Sequence, residues 1–286
     1  MNNNEIIVLK TSHKNMFFKY KNNVYEYYNC SLKNPIFRIM KKLNMPLNIF
    51  YGNWKHILKE SKYIVFFDVD YRFEFAKYIK KHNPNIKLIF WYWNVVTEKN
   101  KKFLSDKNID EFWTYNRFDA EKYNLNYNPQ FYHYEGVNNK NSIIGTDVIF
   151  MGKDKGREEA IKKIKNNLEN KNIRCLFYLI HGASDFMDYD KYLNDVEKSK
   201  CILDYSFVTP CGLSLRPLEA LFMHKKLITN NEDIVNYKFY NKNNIYILGY
   251  EKDRDIKQFM DSPYIEIPND VIEYYSYDSW LKRFKK

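Results

Sequence analysis

The chain has 286 residues, 45% hydrophobic and 18% aromatic, with 46 Lys and Arg against 35 Asp and Glu for a formal net charge of +11. That composition excludes a disordered chain, supplies length for two domains of ordinary size, and creates a positive field suited to phosphorylated small molecules, nucleic acid or anionic lipid. No apolar stretch approaches the roughly 18 residues of a membrane span, and the first residues run into a strand without a secretory pattern, so the expectation is a cytoplasmic protein, soluble or peripheral at the inner face of the plasma membrane.

In chain order, 6–9 reads as a strand, 35–43 and 54–60 as helices, and 63–67 as a buried strand. A helix is expected over 68–82, a strand over 87–92, helical structure over 99–104, a strand over 111–115, a helix over 119–123 and a strand over 130–134. Strands alternating with helices predict a parallel sheet covered by helices. Residues 136–145, GVNNKNSIIG, are Asn-rich and bracketed by glycines, which marks a linker. The pattern then restarts at Val148, with strands over 175–179, 201–205, 225–229 and 244–248 and helices over 158–170, 189–199, 215–223 and 253–260. The expected fold is α/β: two tandem doubly wound Rossmann-like domains facing a cleft, over 1–140 and 146–275. An amphipathic helix over 276–286, with Trp280 and Phe284 four apart, is expected to pack back on the first domain.

The segment CILDYSFVTPCGLSLRPLEALFMHKKLITNN, 201–231, holds the strongest functional signal. Its strand leads through a loop to Gly212-Leu213-Ser214 and a helix with Pro217 in the first turn, where a missing N–H costs nothing. A helix starting there aims free N–H groups and partial positive charge at the strand ends, a setting for a pyrophosphate. Arg216 adds a fork-shaped cation, Glu219 can reach a ribose diol, and Asn230 closes the following strand. A second segment, TDVIFMGKDKGR, ends a strand in Gly152, Lys153, Lys155 and Arg157 before another helix. Two cationic loops at carboxyl ends of strands in one parallel sheet can converge on a single anion.

Other groups carry weaker signals. Cys30, Cys175, Cys201 and Cys211 show no metal-binding spacing and read as reduced thiols. Lys41-Lys42, Lys80-Lys81 and the tail Lys282, Arg283, Lys285, Lys286 read as solvated helix faces, with contact to a membrane surface as the main alternative. Trp91, Trp93 and Asn94 end a strand of the first half, where aromatic faces suit stacking on sugars or simply fill the core.

Gly152 to Arg157, together with Pro210-Cys211-Gly212-Leu213-Ser214, Glu219-Ala220-Leu221 and Lys226-Leu227-Ile228-Thr229, resemble the GT-B glycosyltransferases, in particular short bacterial transferases of lipopolysaccharide-core and capsule type. The resemblance implies that the second domain holds a nucleotide-sugar donor, a UDP- or GDP-sugar, at Gly152, Lys153, Lys155, Arg157, Gly212, Leu213, Ser214, Arg216, Glu219 and Asn230. It implies an acceptor site and a general base in the first domain: Trp91, Trp93 and Asn94 for the glycan or glycolipid, and His13, Asp68 or Asp70 for the base. Cations and a helix N-terminus suffice to stabilise a departing diphosphate, so no metal or tightly bound cofactor is expected. Asp68-Val69-Asp70 also admits a metal reading, as a pair of acids around one residue. Many retaining members carry a glutamate eight positions before the ribose-binding one; Cys211 stands there, which leaves the stereochemistry open. Competing expectations are a nucleotide-sugar epimerase of the same fold and a basic protein that binds nucleic acid or membranes without catalysis.

Overall fold

A computed structural model describes residues 5–10, 21–69, 71–133, 144–182, 188–207, 211–250 and 254–285. The chain divides into two compact units, Met1–Asn128 with Arg283–Lys286, and Pro129–Lys282. The division falls at Asn128, ahead of the glycine-bracketed segment, most of which lies outside the described residues.

The first unit is built on six strands: β1 (Ile6–Lys10), β2 (Val24–Glu26), β3 (Tyr63–Phe67), β4 (Lys87–Tyr92), β5 (Glu111–Thr114) and β6 (Asn126–Tyr127). They lie in the order β2-β1-β3-β4-β5-β6 with every pair parallel. IIVLK, YIVFF and KLIFWY are continuous apolar runs because a parallel sheet is covered on both faces. Among the described residues the sheet is accompanied by α1 (Pro35–Lys42), α2 (Phe73–His82) and α3 (Arg117–Tyr123). In α2, Phe75, Ala76 and Ile79 are spaced to share one face and are buried, while Lys80, Lys81 and His82 load its last turn with charge that suits the C-terminal dipole.

The second unit holds β7 (Thr146–Lys153), α4 (Glu158–Glu169), β8 (Cys175–Ile180), α5 (Tyr189–Glu197), β9 (Ser199–Asp204), α6 (Leu215–Phe222), β10 (Lys226–Thr229), β11 (Ile245–Ile247) and the helices α7 (Ile256–Asp261), α8 (Asn269–Tyr274) and α9 (Tyr277–Lys282). Its strands run β11-β10-β9-β7-β8, again all parallel. Each sheet therefore reverses its winding beside its first strand, between β1 and β3 in one unit and between β7 and β9 in the other. In open α/β sheets such switch points hold ligands outside the carboxyl ends of the strands.

Several elements differ from the sequence reading. Residues 54–60 form only a 3-10 turn, Asn53–His56, because Trp54 is driven into the core and its Nε1 donates to Tyr27 O. The helix expected from Asp68 begins at Phe73. Residues 99–104 are a 3-10 turn, Lys101–Ser105, and Tyr132 makes a single bridge to Ser276 where a strand was expected. The chain's last turn, Arg283–Lys285, is 3-10; within the first unit Phe284 meets Trp113 edge-on at 5.1 Å and Lys285 pairs with Glu5 at 2.6 Å.

Candidate anion site at the switch point of the second sheet

β7 ends in Met151-Gly152-Lys153 and enters a tight turn. Asp154 Oδ1 accepts from the backbone N–H groups of Arg157 and Glu158, at 3.0 and 2.8 Å, and so caps α4. Lys155 and Gly156 both adopt left-handed backbone, φ +49° and +79°, which reverses the chain before the helix. The turn lays Arg157 along the strand end, where Nε donates to Lys153 O at 3.0 Å and Nη1 donates to Tyr205 O. A Cβ at Gly152 would meet Arg157 Nη2 and crowd the Phe150 ring, so the guanidinium keeps this place only while the position stays bare.

β9 supplies the partner. Arg216, in the first turn of α6, donates from Nε to Asp204 Oδ1 at 3.0 Å and from Nη1 to Met151 O at 3.2 Å, bridging the two strands of the switch point. Asp204 is 3% exposed and also accepts from the Ser214 hydroxyl at 2.9 Å and from Thr229 Oγ1 at 3.4 Å. Both guanidiniums lie over the Phe150 ring.

Four cations crowd this corner, with Asp204 and Asp154 as the nearby acids. Burial and then the neighbouring Arg216 hold Arg157 down to about 10. Burial, Arg157, Arg216 and Lys153 together lower Lys155. For Arg216 burial is the largest single effect and pulls downward, but Asp204, Tyr192 and Glu219 together outweigh it and the net shift is upward. Crowded, partly desolvated cations raise one another's free energy, and an anion among them relieves it. Lys153 and Lys155 are exposed, Arg157 is buried and Arg216 is about one-fifth exposed.

Gly152, Lys153, Lys155, Arg157, Ser214 and Arg216 are thus gathered at the carboxyl ends of β7 and β9. Ser214 occupies the N-cap position of α6 without making a capping bond; its hydroxyl goes to Asp204 instead. Gly212 is buried, and Leu213 is fully buried, so its side chain belongs to the core. Asn230 exchanges two hydrogen bonds with the Ser206 backbone, at 2.8 and 2.7 Å, and pins the loop after β9. Glu219 departs from its expected role. It is 3% exposed, and its two oxygens accept from Tyr189 and Tyr192, each at 2.8 Å. Burial pushes its carboxyl up against the pull of those bonds, and the geometry makes it a structural acceptor rather than a free ribose contact. Asp204 was missed by sequence reasoning; its signal is a single acid closing the apolar run CILD.

In the first unit, Asp68 follows β3 and is 9% exposed. Its Oδ1 accepts from Trp93 N at 2.9 Å, and its Oδ2 accepts from Asn94 Nδ2 at 2.9 Å and Asn100 Nδ2 at 3.4 Å. Burial raises its pKa despite these bonds. Asp68, Trp93 and Asn94 are therefore brought together, with Asn94 exposed and Trp93 half-buried. Trp91 is not available for stacking on a sugar: it is fully buried and its Nε1 donates to Asn128 O. His13 and Asp70 lie outside the described residues.

All four cysteines are free thiols. Among the described residues, Asp154, Glu158 and His181 bring ligand atoms within 4.8 Å of one another and form the group that a divalent cation could use. Asp154 is at the same time the cap of α4, and Glu158 pairs with Lys162 at 2.7 Å. No helix among the described residues is long and apolar enough to cross a membrane.

No protein-family model matches the chain, and no curated protein matches it in sequence. A solved structure described as the crystal structure of TarM is similar with a TM-score of 0.48 and 13% sequence identity, covering 79% of this chain and 54% of TarM. The chain thus spans about half the length of that protein.

Proposed function

We propose that the chain is a glycosyltransferase that holds the diphosphate of a nucleotide-sugar at the β7/β9 switch point and transfers the sugar to a surface-glycan or lipid-linked acceptor. The observation that carries this reading is the pairing of Arg157 and Arg216 at that switch point, with Lys153 and Lys155 beside them and Asp204 as the buried counter-charge. In the transfer, the acceptor oxygen bonds to the anomeric carbon, the bond from that carbon to the diphosphate oxygen breaks, and the acceptor proton passes to a base. The leaving diphosphate gains negative charge, which fixed guanidinium and ammonium groups stabilise without reorganising. Asp68 is the base we assign: it follows β3 beside Trp93 and Asn94, and burial raises its pKa above the ordinary carboxylate value. A UDP- or GDP-sugar donor and an acceptor of lipopolysaccharide-core or capsule type are the substrates proposed.

The test is a thermal-shift titration with UDP, GDP, ADP, CMP and dTDP, each with and without magnesium. Selective stabilisation by one nucleoside diphosphate, reduced in Lys155→Ala, supports the reading and names the donor class. A response to none of them at millimolar concentration would remove it in favour of a basic binding protein.

A further inference from the structure

Residues 27–59 contain no acidic side chain, whereas Lys33, Arg38, Lys41, Lys42, Lys55 and Lys59 all fall among them. The same stretch carries the densest run of exposed large apolar side chains among the described residues: Ile36, Ile39, Leu43, Met45 and Ile49, between 46% and 62% exposed. Such a run is costly in water unless something covers it. It stands on a well-fixed element. Asn34 Oδ1 accepts from Ile36 N and Phe37 N, Pro35 occupies the first helical position, and Phe37 is buried as the anchor of α1. With Phe37 turned inward, the helical spacing sets Ile36, Ile39 and Leu43 on one outward stripe, and Arg38, Lys41 and Lys42 take the remaining arc, all exposed.

Apolar side chains and cations on one surface, with no acid among them, match the chemistry of an anionic bilayer better than that of a protein partner. The apolar groups enter the boundary between headgroups and acyl chains, and the long basic side chains reach lipid phosphates. A cavity of about 450 Å³ shares Met45 and Leu47 with this surface and adds Arg72, Lys77 and Lys81 against Glu74, extending the positive character. We propose that α1 and the loop through Ile49 form a docking surface for anionic membrane, with Ile36, Ile39, Leu43, Met45 and Ile49 inserted and Lys33, Arg38, Lys41 and Lys42 on the phosphates. This surface belongs to the first unit and does not depend on the nucleotide reading of the second.

The experiment is co-sedimentation of the full chain with vesicles of phosphatidylcholine alone and of phosphatidylcholine mixed with phosphatidylglycerol. The chain is expected on the anionic vesicles only. Ile39→Ser with Leu43→Ser should lower that binding at least about tenfold, and Lys41→Gln with Lys42→Gln about fivefold per lysine. The two pairs are solvent-facing, so the charge pair keeps the test open if the apolar pair misfolds. Lys163→Gln with Lys165→Gln on α4 should leave binding unchanged. The proposal is overturned by no retention on anionic vesicles, by equal loss in the α4 pair, or by a solution dimer that the α1 variants dissolve while vesicle binding stays the same. Nucleoside diphosphate shifts of the same variants are expected at wild-type values, so failure here is separable from failure of the transferase reading.

Discussion

Arg157 and Arg216 share one aromatic ring: their guanidinium carbons stand 5.2 and 5.4 Å from the centroid of Phe150. Phe150 lies in β7, one strand from Asp204 in β9, so a ring in the middle of the sheet sets the height of two cations that come from different helix starts. Each guanidinium is also held by a backbone carbonyl at a strand end, Tyr205 O for Arg157 and Met151 O for Arg216. The cations are thereby anchored on the sheet as well as by the turn that delivers Arg157, which is the rigidity that an electrostatic site needs.

Lys155→Ala should weaken nucleoside diphosphate binding about tenfold, the size of one charge-assisted hydrogen bond, with the melting temperature unchanged because the side chain is exposed. Its pH dependence has a definite sign. Burial and the nearby Arg157, Arg216 and Lys153 lower its pKa, so the free protein loses this charge at a lower pH than an ordinary lysine does. The protonated form binds the anion. Affinity should therefore fall as pH rises toward the ordinary lysine value of about 10.4, with proton uptake on binding along that limb. Calorimetry in buffers of different ionisation enthalpy measures the uptake; none along that limb would contradict the assignment.

Gly152→Ala should displace Arg157, because the new methyl meets Nη2 and the Phe150 ring stands 3.1 Å away. A stability loss of about 1–3 kcal/mol is expected from this overpacking, together with weaker nucleotide binding. Denaturant melts and a binding titration on the same sample would separate the two effects, and wild-type behaviour in both would show that Arg157 is not positioned as described.

Glu219→Ala should destabilise the second unit by about 1–3 kcal/mol, since it removes the acceptor of the buried Tyr192 hydroxyl and one of two hydroxyl partners of the half-buried Tyr189, which also meets Tyr132 at 2.9 Å. Glu219→Gln retains an acceptor and should lose less. A ribose contact would give the opposite pattern: weaker nucleotide binding in the Gln variant at unchanged stability. Melting curves beside titrations discriminate the two roles.

Asp147 should dominate acid sensitivity in the second unit. Burial alone would raise its pKa, but Arg174 and Lys200 outweigh burial and hold the carboxyl well below the usual carboxylate range. A folded-state pKa depressed below the unfolded value of about 3.9 means stability that is present above that value and is lost as pH falls through the folded one. Asp147→Asn should cost about 1–2 kcal/mol at neutral pH, with the difference from wild type shrinking below about pH 4. A parallel offset at all pH values would assign the effect to packing instead.

Much of the sheet framework was legible because parallel strands write themselves as uninterrupted apolar runs: YIVFF and KLIFWY coincide with β3 and β4 to the residue. Shorter edge strands were not, since Val24-Tyr25-Glu26 and Asn126-Tyr127 lack that length and are only partly covered. At the site, Gly152, Lys153, Lys155, Arg157 and Arg216 could be read as a cationic corner because loops after parallel strands meet at one edge. What each side chain does there was less accessible. Whether Glu219 faces a ligand or two tyrosines depends on Tyr189 and Tyr192, some thirty residues away in sequence. Trp91 could be read as a sugar platform or as core and is core, because an aromatic at a strand end does not reveal which side of the last pleat it takes.

Phe284, fully buried and set against Trp113, makes the first unit discontinuous in sequence. A ribosome delivers a chain from its N-terminus, so the first unit emerges long before its last side chain exists. Its sheet can assemble early, yet the Trp113 face stays uncovered until nearly the entire second unit has been synthesised. Native order in the earlier half is thus completed by residues translated after the second unit, and a nascent chain stalled before Phe284 would present that tryptophan to the chaperones around it.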